Sequence, residues 1–469
     1  MMQAILPLLA VFQLIVLLYF VALNTYYLVT SLMAFRSLRR YTQQLNSVDI
    51  DDLIATAGAP PITIIVPAYN EAATILEASR SLLTLRYPDY EILIVNDGST
   101  DTTLEVLKST YRLQPAPRFP LAHLPTAPVR GVYQSQTHPH LWVIDKENGR
   151  RADAINAGIN YCRTPLLCLV DADGIIEPEA LMRIVRPFLE DARTVASGGI
   201  IRVVNGCRVQ DGLVSEVRLP QRWLARFQVV EYLRSFLAGR VGWDALQIML
   251  LISGAFGLFR RDLVVAVGGL AHDSVGEDFE LTVRLHRYCR EQRLPYAVHF
   301  VPDPVAWTEV PETRALLSRQ RDRWQRGLID TLRRHRRLLL NPRYGRIGLI
   351  AYPYFFFFEM LGPIIEFFGY IVFFFLLITG YLSTASAVLF LWIAVLMGSV
   401  LSVAAVGLEE LSFRRYTRLQ DLLFLLVLSL LENFGYRQLI TFYRIRGTIS
   451  YLRGQTGWGS MERKGFQKS

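Results

Sequence analysis

Four short apolar runs, each followed by a polar turn, constrain the fold of this 469-residue chain more than any other feature. Each run is too short for a helix and has the length of a buried strand, and segments with helical spacing of apolar residues separate the runs. Strands that alternate with helices predict an α/β domain with a mostly parallel sheet and right-handed crossovers. The predicted strands are residues 62–66, 91–95, 141–144 and 166–170.

The polar turns after these strands are the predicted ligand site, because ligands of such sheets bind outside the carboxyl ends of the strands. In the first turn, Asn70 is the predicted N-cap of the helix that follows. No G-x-G-x-x-G sequence follows any of the strands, which argues against a dinucleotide-binding sheet. We therefore expect four turns to converge: residues 67–71, 96–99, 145–146 and 171–173.

The last turn carries two carboxylates one residue apart, Asp171 and Asp173. Oxygen ligands at this spacing suit one hard divalent cation that can also hold a diphosphate. A polar turn punctuated by Gly174 is the plainer interpretation, because short acidic motifs are common. The metal hypothesis therefore depends on whether other motifs of the chain fit the same chemistry.

A run of about thirty residues without a charge, from Ile5 to Phe35, predicts one tilted membrane helix. A secretory signal is the alternative, but the run is too long and no basic residue precedes it. The hydrophobic fraction of 52% agrees with a chain that lies partly in lipid. Basic residues at the end of the run place the next segment in the cytosol: Arg36, Arg39 and Arg40.

The net charge of +9 fits either a nucleic-acid or a membrane-surface partner. The basic residues cluster beside apolar runs, so we expect contact with membrane lipid and no nucleic-acid partner. The four cysteines form no C-x-x-C pair. A reduced, cytosol-facing domain follows. For the whole protein we expect a cell inner or plasma membrane.

The C-terminal apolar segments predict further membrane passages. Residues 347–382 are interpreted as an interfacial piece followed by one span, and residues 387–407 as a second span. Residues 420–440 form a third span or a re-entrant helix. Glu359 and Glu366 lie on one helical face, and they indicate either a pathway through the membrane or simple interfacial placement.

Six motifs in this order resemble those of membrane-embedded, processive family 2 glycosyltransferases, the group that includes cellulose, hyaluronan and poly-N-acetylglucosamine synthases. The similarity covers about residues 60–330. It implies a GT-A fold, a UDP-sugar donor, Mg or Mn as cofactor, and inverting addition to a growing β-linked extracellular polysaccharide. The motifs are IIVPAYNE, VNDGSTDTT, KENGRRADAINAG, DADG, GEDFE and QRDRW.

The resemblance also implies which residues act in catalysis. Asp278 would be the general base, supported by Glu277, although helix capping alone explains two carboxylates near a helix start. Asp173 would coordinate the metal, and Asp171 would lie toward the nucleotide. Loss of Asp278 is expected to abolish transfer and spare donor binding.

Binding residues follow from the same resemblance. Lys146 would lie near the diphosphate, and Arg151 stands where many relatives have lysine. The plainer interpretation of Asp97 and Lys146 is that they are solvated turn residues. The plainer interpretation of residues 253–256 is an ordinary strand turn, and that of residues 320–324 is a lipid-facing amphipathic helix. The residues implied around the uridine are Pro67, Ala68, Tyr69, Glu71 and Asp97; those implied at the acceptor or diphosphate are Ser253, Gly254, Phe256, Gln320, Arg323 and Trp324.

Two other functions are open at this point: transfer of one sugar to a lipid carrier, and nucleotide-sugar binding by a transport or sensing subunit without turnover. Accessory or export subunits are further expected partners. The predicted segments are an N-terminal transmembrane helix (1–40), a linker (41–61), the GT-A domain (62–310), basic interface helices (311–346), a C-terminal membrane region with two to three spans (347–440) and a basic cytosolic tail (441–469).

Overall fold

The computed structural model describes residues 2–45, 58–413, 415–416, 418–455 and 457. Most of the predicted linker and the end of the predicted tail lie outside these ranges. The chain divides into two compact units. We call them the sheet unit, Arg40–Pro220 with Met249–Val310, and the helical unit, Met1–Arg39 with Gln221–Ile248 and Pro311–Gly459.

The strands of the sheet unit are β1 Ile62–Ala68, β2 Tyr90–Asp97, β3 Leu113–Pro115, β4 Val129–Ser135, β5 Leu141–Lys146, β6 Leu166–Val170, β7 Ile175–Ile176, β8 Thr194–Val203, β9 Arg208–Gln210, β10 Leu213–Glu216, β11 Phe256–Arg260 and β12 Ala297–Thr308. They form a ten-stranded sheet in the order β3-β4-β5-β2-β1-β6-β11-β8-β12-β7, and β9 and β10 form a separate pair. The central strands β5, β2, β1 and β6 are parallel.

The four parallel strands confirm the sequence prediction. Their mostly β-branched and leucine residues are buried on both faces, as expected of a sheet covered by helices. Antiparallel strands extend this centre on both sides: β4 pairs with β5, and β11 pairs with β6 and β8. The parallel centre therefore brings the four predicted turns to one edge of the sheet.

Helices connect the strands of the sheet unit. One of them, Arg150–Tyr161, approaches β1 so closely that a Cβ atom at Gly158 would clash with Ile65. This close packing fixes the helix start, and with it Arg151, at the carboxyl edge of the sheet. The helices of this unit are Ile75–Leu83, Thr103–Tyr111, Arg150–Tyr161, Ala180–Glu190, Arg261–Ala266 and Glu277–Glu291.

The predicted N-cap at Asn70 is wrong. The helix that follows β1 begins at Ile75, and Thr74 occupies its N-cap position. Asn70 instead adopts a left-handed backbone conformation, with φ of 56°, which asparagine tolerates better than most residues. Its side-chain oxygen accepts a hydrogen bond from the Thr100 amide at 2.8 Å, so it joins two turns and does not start a helix.

The helical unit begins with one helix, Met2–Leu45, where one membrane helix is predicted. By length and composition, Leu6–Gln43 and Thr384–Ser412 are the two described helices that could cross a membrane. Two bent pairs raise this number to four if each pair is one span: Ile347–Met360 with Gly362–Ile378, bent by 44°, and Leu419–Leu431 with Tyr436–Leu452, bent by 60°.

The first bend lies where an interfacial piece followed by a span is predicted, and the second lies in the segment predicted as a third span or a re-entrant helix. The second bend lies at Phe434 and Gly435, whose backbone angles are not helical. After Met2–Leu45, the helical segments of this unit are, in chain order, Trp223–Tyr232, Leu233–Arg240, Val241–Ala245, Arg314–Arg334, Arg336–Leu338, Pro342–Tyr344, Ile347–Ala351, Tyr352–Tyr354, Phe355–Met360, Gly362–Ile378, Thr384–Leu391, Trp392–Leu396, Met397–Ser412, Leu419–Leu431, Glu432–Tyr436 and Arg437–Leu452.

The two carboxylates of the bent pair Ile347–Met360 with Gly362–Ile378 are paired within the helical unit. Glu359 Oε2 lies 3.0 Å from Arg444 Nη2, and Glu366 Oε1 lies 2.8 Å from Arg437 Nη2. Charged groups that are removed from water need such partners. Ion pairing therefore gives Glu359 and Glu366 a structural role, in addition to the two roles considered from sequence.

Candidate active site

The first two polar turns meet at the carboxyl edge of the sheet, as predicted. The Asn70 amide donates to Ser99 Oγ at 3.0 Å, and the Glu71 amide donates to Thr103 Oγ1 at 2.9 Å. Around this junction Pro67 is half-buried, Ala68 is buried and Tyr69 is exposed. The turn therefore presents an aromatic ring and backbone groups to solvent.

The second and third turns meet through a buried ion pair. Lys146 Nζ lies 2.7 Å from Asp97 Oδ1 and 2.5 Å from Asp153 Oδ1. Asp97 Oδ1 also accepts a hydrogen bond from the Gly149 amide at 3.0 Å. Lys146 is fully buried, so in this structure its charge is used within the chain and does not face solvent.

Sequence reasoning missed Asp153. It lies in the first turn of the helix Arg150–Tyr161, where an acidic residue is ordinary because it suits the helix dipole. Its position seven residues after Lys146 gives no local signal of an ion pair. The pairing depends on the β5-to-helix connection, which only the fold reveals.

Asp171 and Asp173 emerge from β6 at the fourth turn. Asp173 is 2% exposed, and the Asp171 side chain is 31% exposed. Among the described residues, no group of three or more histidine, cysteine or acidic side chains is placed to hold a metal ion. Mg²⁺ in phosphate sites usually takes one or two protein carboxylates together with phosphate oxygens and water. Two carboxylates therefore fit a cation that is shared with a diphosphate.

Arg151 connects the fourth turn to a separate segment of the sheet unit. Its Nη2 atom donates to Asp171 Oδ1 at 2.6 Å and to the Gly254 carbonyl oxygen at 2.9 Å. Its Nη1 atom donates to Glu277 Oε1 at 2.6 Å. The arginine thus lies between the D-x-D turn and the start of the helix Glu277–Glu291.

Asp278 is placed by backbone amides. Its Oδ2 atom accepts a hydrogen bond from the Gly254 amide at 3.0 Å, and its Oδ1 atom accepts one from the Phe279 amide at 2.8 Å. The helix begins at Glu277 after Gly276, as predicted. A carboxylate held in this way is oriented, and it keeps lone pairs that can accept a proton.

Burial dominates the electrostatics of two site carboxyl groups. It raises the pKa of Asp97, while hydrogen bonds from Lys146 and Gly149 act in the opposite direction. Burial likewise raises the pKa of Glu277, and the Arg151 charge opposes this. For Arg151, burial acts to lower the pKa, but the carboxylates of Asp171 and Glu277 outweigh it, so the pKa is raised and the guanidinium stays charged.

The segment before β11 contributes backbone to the site. Gly254 contacts both Arg151 and Asp278, whereas Ser253 makes local hydrogen bonds to Ala255 and Phe256. Phe256 is fully buried within β11 and pairs with Val170. This burial favours the plainer interpretation, an ordinary strand turn, over stacking of the Phe256 ring on a sugar.

The residues of the QRDRW motif lie on the helix Arg314–Arg334 in the helical unit. Gln320 is buried, and its side-chain oxygen has no hydrogen-bond partner among the described residues. Trp324 is 41% exposed, and the Arg321 guanidinium lies 4.4 Å from its ring centroid. Arg321 in turn pairs with both carboxylate oxygens of Glu231 at 2.7 and 2.8 Å. The proposed contacts of Gln320, Arg323 and Trp324 with the acceptor and the diphosphate stay predictions.

Comparison with curated proteins finds relatives at about a quarter sequence identity. The poly-beta-1,6-N-acetyl-D-glucosamine synthase of Staphylococcus aureus (strain COL) is 26% identical over 318 residues, 67% of this chain and 65% of that protein. The protein of the same name from Staphylococcus epidermidis is 26% identical over 274 residues, 58% of this chain and 56% of that protein. The match thus spans less than two thirds of each relative.

One solved structure shows the same fold. It is the mannosyltransferase PcManGT from Pyrobaculum calidifontis in complex with GDP-Man and Mn²⁺, with a TM-score of 0.51 and 16% sequence identity. The alignment covers 92% of this chain and 99% of that one. The likeness confirms the predicted GT-A fold.

The family assignment rests on the sequence. The model of the family described as "Glycosyltransferase like family 2" matches residues 60–327, more than half of the chain and nearly the range in which the motifs were recognised. The predicted resemblance is confirmed: the chain belongs to glycosyltransferase-like family 2.

Proposed function

We propose that this glycosyltransferase adds sugar from a UDP-sugar to a growing β-linked polysaccharide, with inversion at the anomeric carbon. The observation that carries the proposal is the arrangement of Asp278 on one side of Arg151 and the Asp171-Ala172-Asp173 turn on the other. One side of this arrangement offers a proton acceptor, and the other offers oxygen ligands beside a donor diphosphate. These are the two requirements of an inverting sugar transfer.

Asp278 acts as the general base. It accepts the proton of the acceptor hydroxyl group while that oxygen attacks the anomeric carbon and the bond to the diphosphate breaks. Backbone amides at Gly254 and Phe279 hold the carboxylate in one orientation. A base held in place before the reaction lowers the entropic part of the barrier. A β-linked product then follows from an α-linked donor.

The donor side is built from the turns after β1, β2 and β6. Asp97 and the exposed Tyr69 provide the nucleoside end, while Asp171 and Asp173 provide oxygen ligands at the diphosphate end. A Mg²⁺ or Mn²⁺ ion bound there would offset the negative charge of the leaving diphosphate. The buried Lys146 holds Asp97 in place through the ion pair between them.

UDP-N-acetylglucosamine is the leading donor candidate. Its support is that relatives at 26% identity are poly-beta-1,6-N-acetyl-D-glucosamine synthases. The solved mannosyltransferase binds GDP-Man with Mn²⁺, so GDP-mannose is the natural comparison donor. We propose a multi-pass protein of the plasma membrane with a cytosolic sheet unit, supported by the apolar helices and the arginines that flank them.

The test is turnover of UDP-sugars and GDP-mannose by the full-length protein purified in detergent, with Mg²⁺, Mn²⁺ or a chelator. Nucleotide release and product mass are followed together. We expect one UDP-sugar to give a high-mass product that a β-specific glycosidase degrades, and chelation to stop it. Nucleotide release with only a single-sugar lipid product would replace polymer synthesis by transfer to a lipid carrier. Donor binding without any release would indicate a non-catalytic subunit.

A further inference from the structure

Arg151 is held entirely by acceptors of the chain. A guanidinium group has five N–H donors in a planar fork, so it can bridge acceptors that approach from different directions. Here the acceptors are Asp171, Glu277 and the Gly254 carbonyl group. The Arg151 side chain is 18% exposed and that of Glu277 is 3% exposed, so neither charge is solvated as it would be at the surface.

The same contacts reach Asp278 through Gly254. The Gly254 carbonyl group accepts from Arg151, and the Gly254 amide donates to Asp278 Oδ2. The approach is close: a Cβ atom at residue 254 would lie 2.8 Å from Arg151 Nη2 and 3.2 Å from Asp278 Oδ2. Glu277 is the residue directly before Asp278 at the start of the helix. Arg151 thus fixes both segments that orient the Asp278 carboxylate.

We propose that Arg151 is a positioning residue for the general base: it holds Asp278 through Gly254 and Glu277, and it anchors this arrangement to the D-x-D turn through Asp171. The inference rests on the proposed role of Asp278. It differs from the role that the resemblance implies for Arg151, which is contact with the donor. A guanidinium that already bridges three groups of the chain contributes to geometry more than to donor affinity.

Replacement by lysine separates the two roles. Lysine keeps the positive charge, but its ammonium group is a point charge on a flexible stem and cannot span the three acceptors. If Arg151 positions the base, Arg151→Lys lowers kcat by about 100-fold, the effect typical of a small misplacement of a catalytic group, with donor Kd unchanged. If Arg151 instead binds the diphosphate, donor binding depends on its positive charge. Arg151→Lys then keeps the wild-type kcat, and Arg151→Gln weakens donor binding.

The experiment measures kcat, KM and donor Kd for Arg151→Lys and Arg151→Gln in the full-length protein. It also measures amide hydrogen exchange in peptides that contain residues 253–255 and 277–279. We expect faster exchange in both segments in both variants, with no change in β1. Arg150→Lys is the matched control, because Arg150 is the exposed neighbour on the same helix; we expect it to behave as the wild type in every measurement.

Unchanged exchange at residues 253–255 and 277–279 in Arg151→Lys would overturn the inference, and so would a loss of donor affinity with kcat preserved. Thermal unfolding of each variant shows whether the sheet unit is still folded. The exchange readout does not require turnover. If the wild type transfers no sugar, the proposed function fails, while exchange still decides whether Arg151 holds the two segments.

Discussion

At the residue scale, the buried ion pairs of the site distinguish structural from ligand-binding charges. Lys146 lies between two carboxylates, Asp97 and Asp153, in a place with no access to water. Removing one partner of a buried ion pair leaves an uncompensated charge, which is far more costly than losing a surface pair. The charge of Lys146 is therefore needed by the fold, whatever the donor requires.

We predict that Lys146→Met lowers the free energy of unfolding by about 3–5 kcal/mol, because two buried carboxylates lose their counter-charge. Thermal unfolding of the purified protein measures this effect. Asp153→Asn should cost less, since Lys146 then still pairs with Asp97. A Lys146→Met protein that unfolds like the wild type but binds UDP weakly would instead locate Lys146 at the diphosphate.

A second residue-scale prediction concerns pH. Burial lowers the pKa of His286 to about 4; one ring nitrogen lies 2.7 Å from the Met249 carbonyl oxygen and the other 3.0 Å from the Tyr296 hydroxyl group. The unfolded chain gains a proton near pH 6.5 and the folded chain does not. His286 therefore stabilises the fold fully above pH 6.5, and this contribution is lost as the pH falls toward 4.

His286→Gln removes that titration. The difference of about 2.5 pKa units corresponds to roughly 3 kcal/mol. We expect the unfolding temperature of the wild type to fall more steeply than that of His286→Gln between pH 7 and pH 4.5. Parallel curves for the two proteins would contradict a neutral, buried His286.

At the element scale, local patterns were enough to predict the parallel centre of the sheet. The strands β1, β2, β5 and β6 are short, apolar and bounded by polar turns, so each carries its own signal. The strands β4 and β8 were not identified, because β4 is only partly buried and β8 contains Gly198 and Gly199. The sequence of β12 includes two prolines and its pairing is irregular, which weakens the strand pattern further.

The site was predicted in part for the same reason. The D-x-D turn, Asp97 and the helix start at Glu277 are local features, and the convergence of the first two follows from a parallel sheet. The partners of Lys146 and Arg151 are not local: Arg151 and Glu277 are 126 residues apart. Sequence periodicity carries no information about such pairs, so the bridging role of Arg151 required the structure.

An element-scale prediction tests how the helix Arg150–Tyr161 is fixed. Gly158→Ala should destabilise the sheet unit by about 1–3 kcal/mol, the usual cost of overpacking, because the added methyl group meets Ile65. Ile65→Ala makes room for that methyl group. We expect the double variant to be more stable than the sum of the single effects predicts. Additive effects in thermal unfolding would show that the helix and β1 are less closely packed.

At the scale of the whole molecule, the apolar helices and their flanking arginines predict membrane sidedness. The four cysteines are buried, so single introduced cysteines can be labelled with little background. We expect Phe119→Cys, at a 74% exposed position of the sheet unit, to react with an impermeant maleimide only after the cells are permeabilised. Tyr381→Cys, between two apolar helices of the helical unit, should react in intact cells. Labelling of both from the same side would contradict the proposed topology.

The central claim is that the general base and the donor ligands are separate parts of one transfer site. Its most direct test is to measure donor affinity and turnover together for Asp278→Asn and Asp173→Asn. We predict that Asp278→Asn binds UDP-sugar like the wild type and transfers no sugar, because only the proton acceptor is lost. Asp173→Asn should lose metal-dependent donor binding as well. Equal loss of donor binding in both variants would contradict this division of roles.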